Sequence, residues 1–175
     1  MFAPLPSPAE MSGWDRAAID LGLPELLLME NASREALHVL SAETGHMPGK
    51  RVLLFMGGGN NGGDAACLAR HLHDGGAEVL VLYTRPLGAY RGVTGQHVRL
   101  ARRCGVAFAP AAGWPEKYRN TPWDVYADAS VWTGYSARAF PAASGRWSLG
   151  WWPGSTRWRN GPSFFLWISR PAFPD

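Results

Sequence analysis

The sequence predicts an α/β fold in which helices cover both faces of a mostly parallel β-sheet. Short, continuous apolar runs bounded by glycines alternate with segments of helical periodicity, which is typical of buried parallel strands joined by helices. The 175 residues are enough for one domain with a sizeable core. With 46% hydrophobic and 18% charged residues, the composition excludes an intrinsically disordered chain, and no apolar run approaches the length of a membrane-spanning helix.

Two helices are predicted before the first strand. The first spans residues 8–21, because Ser7 suits an N-cap, Pro8 is tolerated at the first helical position, and Gly22 ends the pattern. The second spans residues 24–43. Its apolar stripe consists of Leu27, Leu28, Ala32, Ala36 and Leu40.

Strands and helices then alternate. Residues 51–56 form a continuous apolar run that leads directly into a glycine-rich segment at 57–64, the pattern of a buried parallel strand and its connection. The spacing predicts a right-handed βαβ unit around this connection. The remaining predicted elements are a helix over 65–74, a strand over 78–83, a helix over 93–104 and strands over 106–109 and 123–128.

The charge distribution argues against nucleic acid as a partner. The net charge is +3, but residues 130–175 carry five arginines and one acid, so the rest of the chain is nearly neutral. The same segment holds six of the nine tryptophans and shows no helical or strand period. The N-terminus has no basic stretch followed by an apolar block, and Cys67 and Cys104 are too few for a disulfide scaffold. We therefore expect a cytoplasmic protein with reduced thiols and no membrane partner.

The glycine-rich segment 57–64 is the candidate binding site. Ligands of open α/β sheets bind at the carboxyl ends of strands, and the backbone N–H groups of such a segment suit a phosphate. Asn60 and Asn61 add amide donors and acceptors, and Asp64 at the helix start can cap N–H groups or take a proton. The segment fits the dinucleotide fingerprint only loosely and lacks the lysine of a P-loop. A plain turn that packs strand against helix is the alternative.

Several short segments resemble one enzyme family. The block Gly-Asn-Asn-Gly-Gly-Asp at 59–64 follows a hydrophobic strand and is preceded by Leu-Leu-Leu-Met-Glu-Asn-Ala at 26–32. The two blocks together are specific, whereas either alone would be weak. Over about residues 9–136, the chain resembles the NAD(P)H-hydrate epimerase family, also called the YjeF N-terminal domain. Further similar segments lie at 9–15, 22–24, 124–129 and 133–134.

This resemblance implies a Rossmann-like three-layer fold and an enzyme that interconverts the R and S forms of hydrated NADH and NADPH in nicotinamide cofactor repair. It also implies a potassium ion held by Asn61 and Asp128, a homodimer, and a functional or fused link to an NAD(P)H-hydrate dehydratase. Asp64 is the expected proton-transfer group, because Asp128 would be a poorer base as a potassium ligand. The implied substrate contacts are Asn60, Asn61, Gly62, Gly63, Asp64, Thr133, Gly134, Tyr135 and Ser136.

The last part of the chain departs from the family pattern. Trp132 stands where the family has the first glycine of Gly-Thr-Gly, and the family's later Asp-Ile-Pro-Ser-Gly motif, with its substrate-binding aspartate and potassium-binding serine, is missing. Read one frame over, the codons for residues 167–173 allow that motif. We therefore expect the YjeF N-terminal domain over 1–136 and an aberrant, frameshifted or truncated tail of low order over 137–175. C-terminal strands would then be missing and activity weak or lost. The alternative is a genuine, divergent tail. The coding DNA distinguishes the two, since the frameshift idea fails if those codons cannot encode the motif.

Two other functions stay open at this point. The missing motif favours a non-catalytic YjeF-type nucleotide-binding or scaffold module over a competent enzyme. A generic Rossmann oxidoreductase is disfavoured, because Tyr83, Thr84 and Arg85 stand where a ribose-binding acid would follow the second predicted strand.

Other polar residues carry weaker signals. Glu30 and Asn31 either support the glycine-rich segment or belong to a polar helix surface. The helix dipole would lower the pKa of the Cys67 thiol, which we interpret as a small packing residue. His71 and His73 are two residues apart on a helix, so they face different sides and make a poor metal-binding pair. All five histidines are expected to be surface or packing residues.

Overall fold

The computed structural model describes residues 8–113, 118, 121–129, 156–157 and 167–169. Helices and strands alternate after two N-terminal helices, as the sequence pattern predicts, and most bounds agree with the predicted ones to within two residues. The elements are α1 (Pro8–Asp20), α2 (Glu25–Thr44), β1 (Arg51–Met56), α3 (Gly59–Asp74), β2 (Glu78–Tyr83), α4 (Gly92–Arg103), β3 (Ala107–Pro110), β4 (Val125–Ala129), β5 (Thr156–Arg157) and β6 (Trp167–Ser169).

The sheet is parallel over its first four strands and has the order β3-β2-β1-β4-β6-β5. β1 lies between β2 and β4, with Arg51 opposite Glu78 and Val52 opposite Val125. β2 pairs in parallel with β3. The predicted α/β class with a mostly parallel sheet is confirmed. Because β1, β2 and β4 run in the same direction, their carboxyl ends meet at one edge.

Side chains of β1 alternate between two apolar clusters, as the two-residue period of a strand requires. Val52, Leu54 and Met56 are fully buried in the larger cluster, together with residues of α2, α3 and α4. Leu53 points to the opposite face, where Trp123 is also buried. These four of the six β1 side chains are inaccessible to solvent, which explains why this strand reads as a continuous apolar run. In the described part of the chain, α2, α3 and α4 all lie on the first face.

Helix α3 begins at Gly59, so the expectation of a loop at 57–64 and a helix from residue 65 is wrong for most of that segment. Gly59 has a φ of +71°, which glycine adopts without the steric cost of a Cβ atom. Glycine within a helix costs about 1 kcal/mol relative to alanine, so local propensity argued against a helix here. Contacts with neighbouring elements overrule that propensity.

Two short strands lie in the segment for which the sequence shows no strand period. β6 pairs with β4 in antiparallel orientation, with Ala127 opposite Ile168, and β5 pairs with β6 in the same way. They extend the sheet beyond β4 but do not continue its parallel order. The proposed boundary near residue 136 and the low order expected over 137–175 concern positions that lie almost entirely outside the described residues. Among the helices described, none combines the length and apolar character needed to cross a membrane.

Candidate functional site

The glycine-rich segment lies at the edge where β1, β2 and β4 end. Met56, the last residue of β1, is opposite Tyr83 of β2 and Ala129 of β4. Thr84, just past β2, donates from its backbone N–H to the Met56 carbonyl over 3.1 Å. These contacts hold the end of β1 in place directly before the chain enters α3.

Tight packing fixes the first turn of α3 against the end of β1. The hydroxyl of Tyr90 donates to the Gly57 carbonyl over 3.0 Å. A Cβ atom on Gly62 would lie 2.4 Å from that same carbonyl oxygen and 3.2 Å from the Tyr90 ring. Since a rigid backbone atom cannot yield, glycine is required at Gly62 for the helix to approach the strand this closely.

A second close approach involves α2 and α4. The Thr94 hydroxyl of α4 donates to the Gly59 carbonyl over 3.1 Å. A Cβ atom on Gly63 would lie 2.5 Å from the Met29 sulfur of α2 and 3.0 Å from the Thr94 hydroxyl oxygen. Gly62 and Gly63 are both buried, so the packing role that the sequence left as an alternative is real. Their contact with substrate stays a prediction.

Asp64 is buried within α3 and does not lie at the helix start. It is the sixth residue of α3, so the expected capping role is wrong. The residue is 5% exposed, and its backbone carbonyl accepts a hydrogen bond from the Ser33 hydroxyl of α2 over 3.3 Å. Burial, and then the negative charge of Asp15 on α1, raise the pKa of the Asp64 carboxyl to about 8. At neutral pH this carboxyl is therefore mostly protonated.

The other predicted ligands are only partly placed. Asn60 and Asn61 lie in the first turn of α3, the former exposed and the latter half-buried. The backbone of Asp128 lies in β4 opposite Phe55, one residue before the end of the β1–β4 pairing. Asn61 and Asp128 therefore belong to elements that meet at the same edge of the sheet. Trp132 and four predicted substrate contacts lie outside the described residues: Thr133, Gly134, Tyr135 and Ser136.

Sequence reasoning missed a polar cluster between α2 and α3. Glu30 of α2 accepts hydrogen bonds from the Arg70 guanidinium at 2.6 and 2.7 Å and from the Cys67 thiol at 3.2 Å. His71 Nε2 lies 2.9 Å from Glu30 Oε1. We call Glu30, Cys67, Arg70 and His71 the interhelical cluster. Spacings of three and four residues place Cys67, Arg70 and His71 on one face of α3, and the sequence shows this pattern. It does not show their partner Glu30, which is 37 to 41 positions away in the chain.

Burial and charge set the protonation states of this cluster. Burial raises the pKa of the Cys67 thiol to about 12, so the expected lowering by the helix dipole is wrong. Burial lowers the pKa of His71 and favours the neutral ring. For Glu30 burial is opposed and outweighed by the hydrogen bonds from Arg70 and Cys67, and its pKa falls below the usual value. Glu30 thus contacts α3 at Cys67, Arg70 and His71, beyond the glycine-rich segment 57–64, so its support of that segment stays a prediction, and Asn31 is exposed.

Comparison with known proteins identifies the family. A family model described as "YjeF-related protein N-terminus" matches residues 25–136. A Rhodopirellula baltica protein named NAD(P)H-hydrate epimerase is 31% identical over 126 residues, which are 72% of this chain and 49% of that protein. A Limosilactobacillus fermentum protein of the same name is 33% identical over 69% of this chain and 55% of its own length.

Longer relatives and a solved structure agree with this match. The bifunctional NAD(P)H-hydrate repair enzyme Nnr of Moorella thermoacetica is 43% identical over 81 residues, 45% of this chain and 15% of that enzyme. The crystal structure of the yeast protein YNL200c superposes with a TM-score of 0.56 at 24% identity, covering 69% of this chain and 52% of that one, and it supports the fold. The chain spans about half the length, or less, of these relatives. It belongs to the family of YjeF-related protein N-terminal domains.

Proposed function

We propose that this chain catalyses the interconversion of the R and S forms of hydrated NADH and NADPH, a repair step for nicotinamide cofactors. Its family and the names of its epimerase relatives support this activity over a purely non-catalytic binding module. The matched residues, 25–136, include α2, β1 and the glycine-rich start of α3, where the candidate site lies.

The buried Asp64 carboxyl is the observation that carries the proposal. A carbon that bears a hydroxyl beside a nitrogen changes configuration when one of its bonds to oxygen or nitrogen breaks and re-forms on the other face. Both stages move a proton, so the site needs a group that donates and then takes it back. Asp64, with a pKa of about 8, is protonated at neutral pH and close enough to that pH to serve in both directions.

Substrate recognition is proposed for the first turn of α3 and the end of β4. Asn60 and Asn61 offer amide groups to the substrate, and the N-terminus of α3 favours the negative charge of a phosphate. The backbone of Gly62 and Gly63 and the segment with Thr133, Gly134, Tyr135 and Ser136 are proposed to complete the contacts.

A potassium ion fits the donor types at this edge. Asn61 and Asp128 are proposed to hold it, since amide and carboxylate oxygens suit a hard cation and the two residues belong to elements that meet there. Such an ion would supply positive charge between Asp128 and the substrate phosphates. We also propose a homodimer, a cytoplasmic location, and a dehydratase that consumes the product, either separate or fused.

An epimer-exchange assay tests the proposed activity. Hydrated NADPH enriched in one epimer is incubated with the full chain in potassium chloride or in sodium chloride of equal strength. We expect faster interconversion with protein, and faster still with potassium. Asp64→Asn should lower the rate by about 10²-fold or more, because the amide cannot shuttle the proton. Asp74→Asn, an exposed change on the same helix, should keep the native rate.

Two results would contradict these assignments. Full turnover by Asp64→Asn would remove Asp64 from the mechanism. Binding of hydrated NADPH without any interconversion by the native chain would replace the enzyme with the non-catalytic module.

A further inference from the structure

The interhelical cluster gathers three different metal-binding side chains outside the proposed epimerase site. One ligand atom each from Glu30, Cys67 and His71 can be chosen so that all lie within 4.8 Å of one another. The Cys67 sulfur is 3.2 Å from Glu30 Oε2, and His71 Nε2 is 2.9 Å from Glu30 Oε1. Ligand atoms around a tetrahedral zinc ion are separated by about 3.3–3.6 Å, given bond lengths of roughly 2.0–2.3 Å. The two separations from Glu30 are within a few tenths of an ångström of these values, and the ligand atoms of Cys67 and His71 lie within 4.8 Å of one another.

We propose that Glu30, Cys67 and His71 form a site for a transition-metal dication of the zinc type. Cys67 and His71 are four residues apart on α3 and so project from the same face of the helix, while Glu30 faces them from α2. Thiolate and imidazole ligands favour zinc over magnesium or calcium. The three side chains leave the fourth tetrahedral position to water.

Binding has a defined proton balance. The Cys67 thiol, which now donates to Glu30, loses its proton to solvent as the metal–sulfur bond forms. His71 binds through Nε2 as a neutral ring, with its proton on Nδ1. The side chains of Glu30 and His71 are 28% and 15% exposed, so the metal and the released proton have a route to solvent.

Arg70 is the cation that a metal must displace. Its guanidinium contacts both Glu30 oxygens and lies 3.7 Å from the Cys67 sulfur. In the described part of the chain, Arg70 Nε and both ring nitrogens of the 1%-exposed His97 on α4 are buried without a hydrogen bond. Burial lowers the pKa of His97, and Glu30 and Arg70 are charged groups that act on it.

Titration of the full, metal-free chain with Co²⁺ tests the site. We expect one equivalent to produce a sulfur-to-cobalt charge-transfer band that Zn²⁺ abolishes, with about one proton released for each ion bound. Cys67→Ala should remove the band, and Cys104→Ala should leave it unchanged. His71→Gln should weaken binding by about tenfold or more, and His73→Gln, two positions away on the same helix, should not. Circular dichroism of each variant establishes that it is folded.

Arg70→Gln supplies a result that a general loss of stability could not produce. Removing the competing positive charge should tighten Co²⁺ binding by about tenfold, since a neighbouring like charge disfavours a cation. The proposal is overturned if the native chain gives no charge-transfer band, if folded Cys67→Ala keeps the band, or if Arg70→Gln weakens binding. A band lost only in Cys104→Ala would place metal binding at the exposed cysteine and would also overturn it.

Discussion

At the scale of single residues, burial is the largest cause of the raised pKa values of Cys67 and Asp64 on α3. A helix dipole acts mainly within the first turn, and Cys67 is the ninth residue of α3 because the helix begins at Gly59. The dipole argument failed for this thiol because it depended on a helix starting six residues later. Asp64 follows the same rule, since burial raises its pKa in the interior of the helix.

The two cysteines should differ sharply in reactivity. Cys67 is buried with a pKa of about 12, whereas Cys104 is exposed. Because the thiolate is the reactive form, a thiol reagent at pH 8 should label Cys104 quickly and Cys67 more slowly by about 10³-fold or more. Mass spectrometry of labelled peptides measures both rates. Cys104→Ser should then show almost no labelling until the chain is unfolded, and rapid labelling of that variant in its folded state would contradict the burial of Cys67.

At the scale of elements, contacts between helices and strands determine where α3 begins. The chain turns from β1 into α3 within two residues, and Gly62 then packs on the Gly57 carbonyl. The same junction is contacted by Tyr90 and by Thr94 of α4. The sequence shows the glycines but not these partners, which lie about 30 positions away.

Alanine substitutions should separate packing glycines from tolerant ones. Gly62→Ala places a Cβ atom against the Gly57 carbonyl and should lower the free energy of unfolding by about 1–3 kcal/mol. Gly58→Ala meets the end of the Arg85 side chain, which can move, at a φ of −85° that alanine adopts, so its effect should stay within about 0.5 kcal/mol. Urea denaturation measures both changes. Equal destabilisation by the two variants would show that the close approach at Gly62 is absent.

At the scale of the whole molecule, Asp64 links stability to pH. In the folded state the Asp64 carboxyl keeps its proton up to a pH of about 8, whereas in the unfolded chain it releases the proton near pH 3.8. Between these values the folded state binds one more proton than the unfolded state. The free energy of unfolding should therefore contain a contribution that falls as pH rises, by up to about 1.4 kcal/mol per pH unit. Above a pH of about 8 this contribution levels off.

Denaturation midpoints at pH 5.5, 6.5 and 7.5 measure this linkage. The asparagine of Asp64→Asn cannot ionise, so the free energy of unfolding of this variant should lack the contribution that falls as pH rises. The variant should therefore be more stable than the native chain at pH 7.5. The control Asp74→Asn concerns an exposed carboxyl on the same helix and should follow the native curve. Parallel curves for the native chain and Asp64→Asn would show that Asp64 is not a buried acid with a raised pKa.

The sequence by itself determined the α/β class, the four parallel strands, the position of the glycine-rich segment after β1, and the family. Each of these features depends on patterns within a few consecutive residues, such as the apolar run at 51–56. Burial of a strand and the residue preferences of turns produce such patterns locally. Tertiary structure alone decided that α3 starts at Gly59, that Asp64 is a buried acid, and that Glu30 meets Cys67 and His71. These features arise from contacts between segments some 30 to 40 residues apart, and only the folded packing of α2, α3 and β1 brings those segments together.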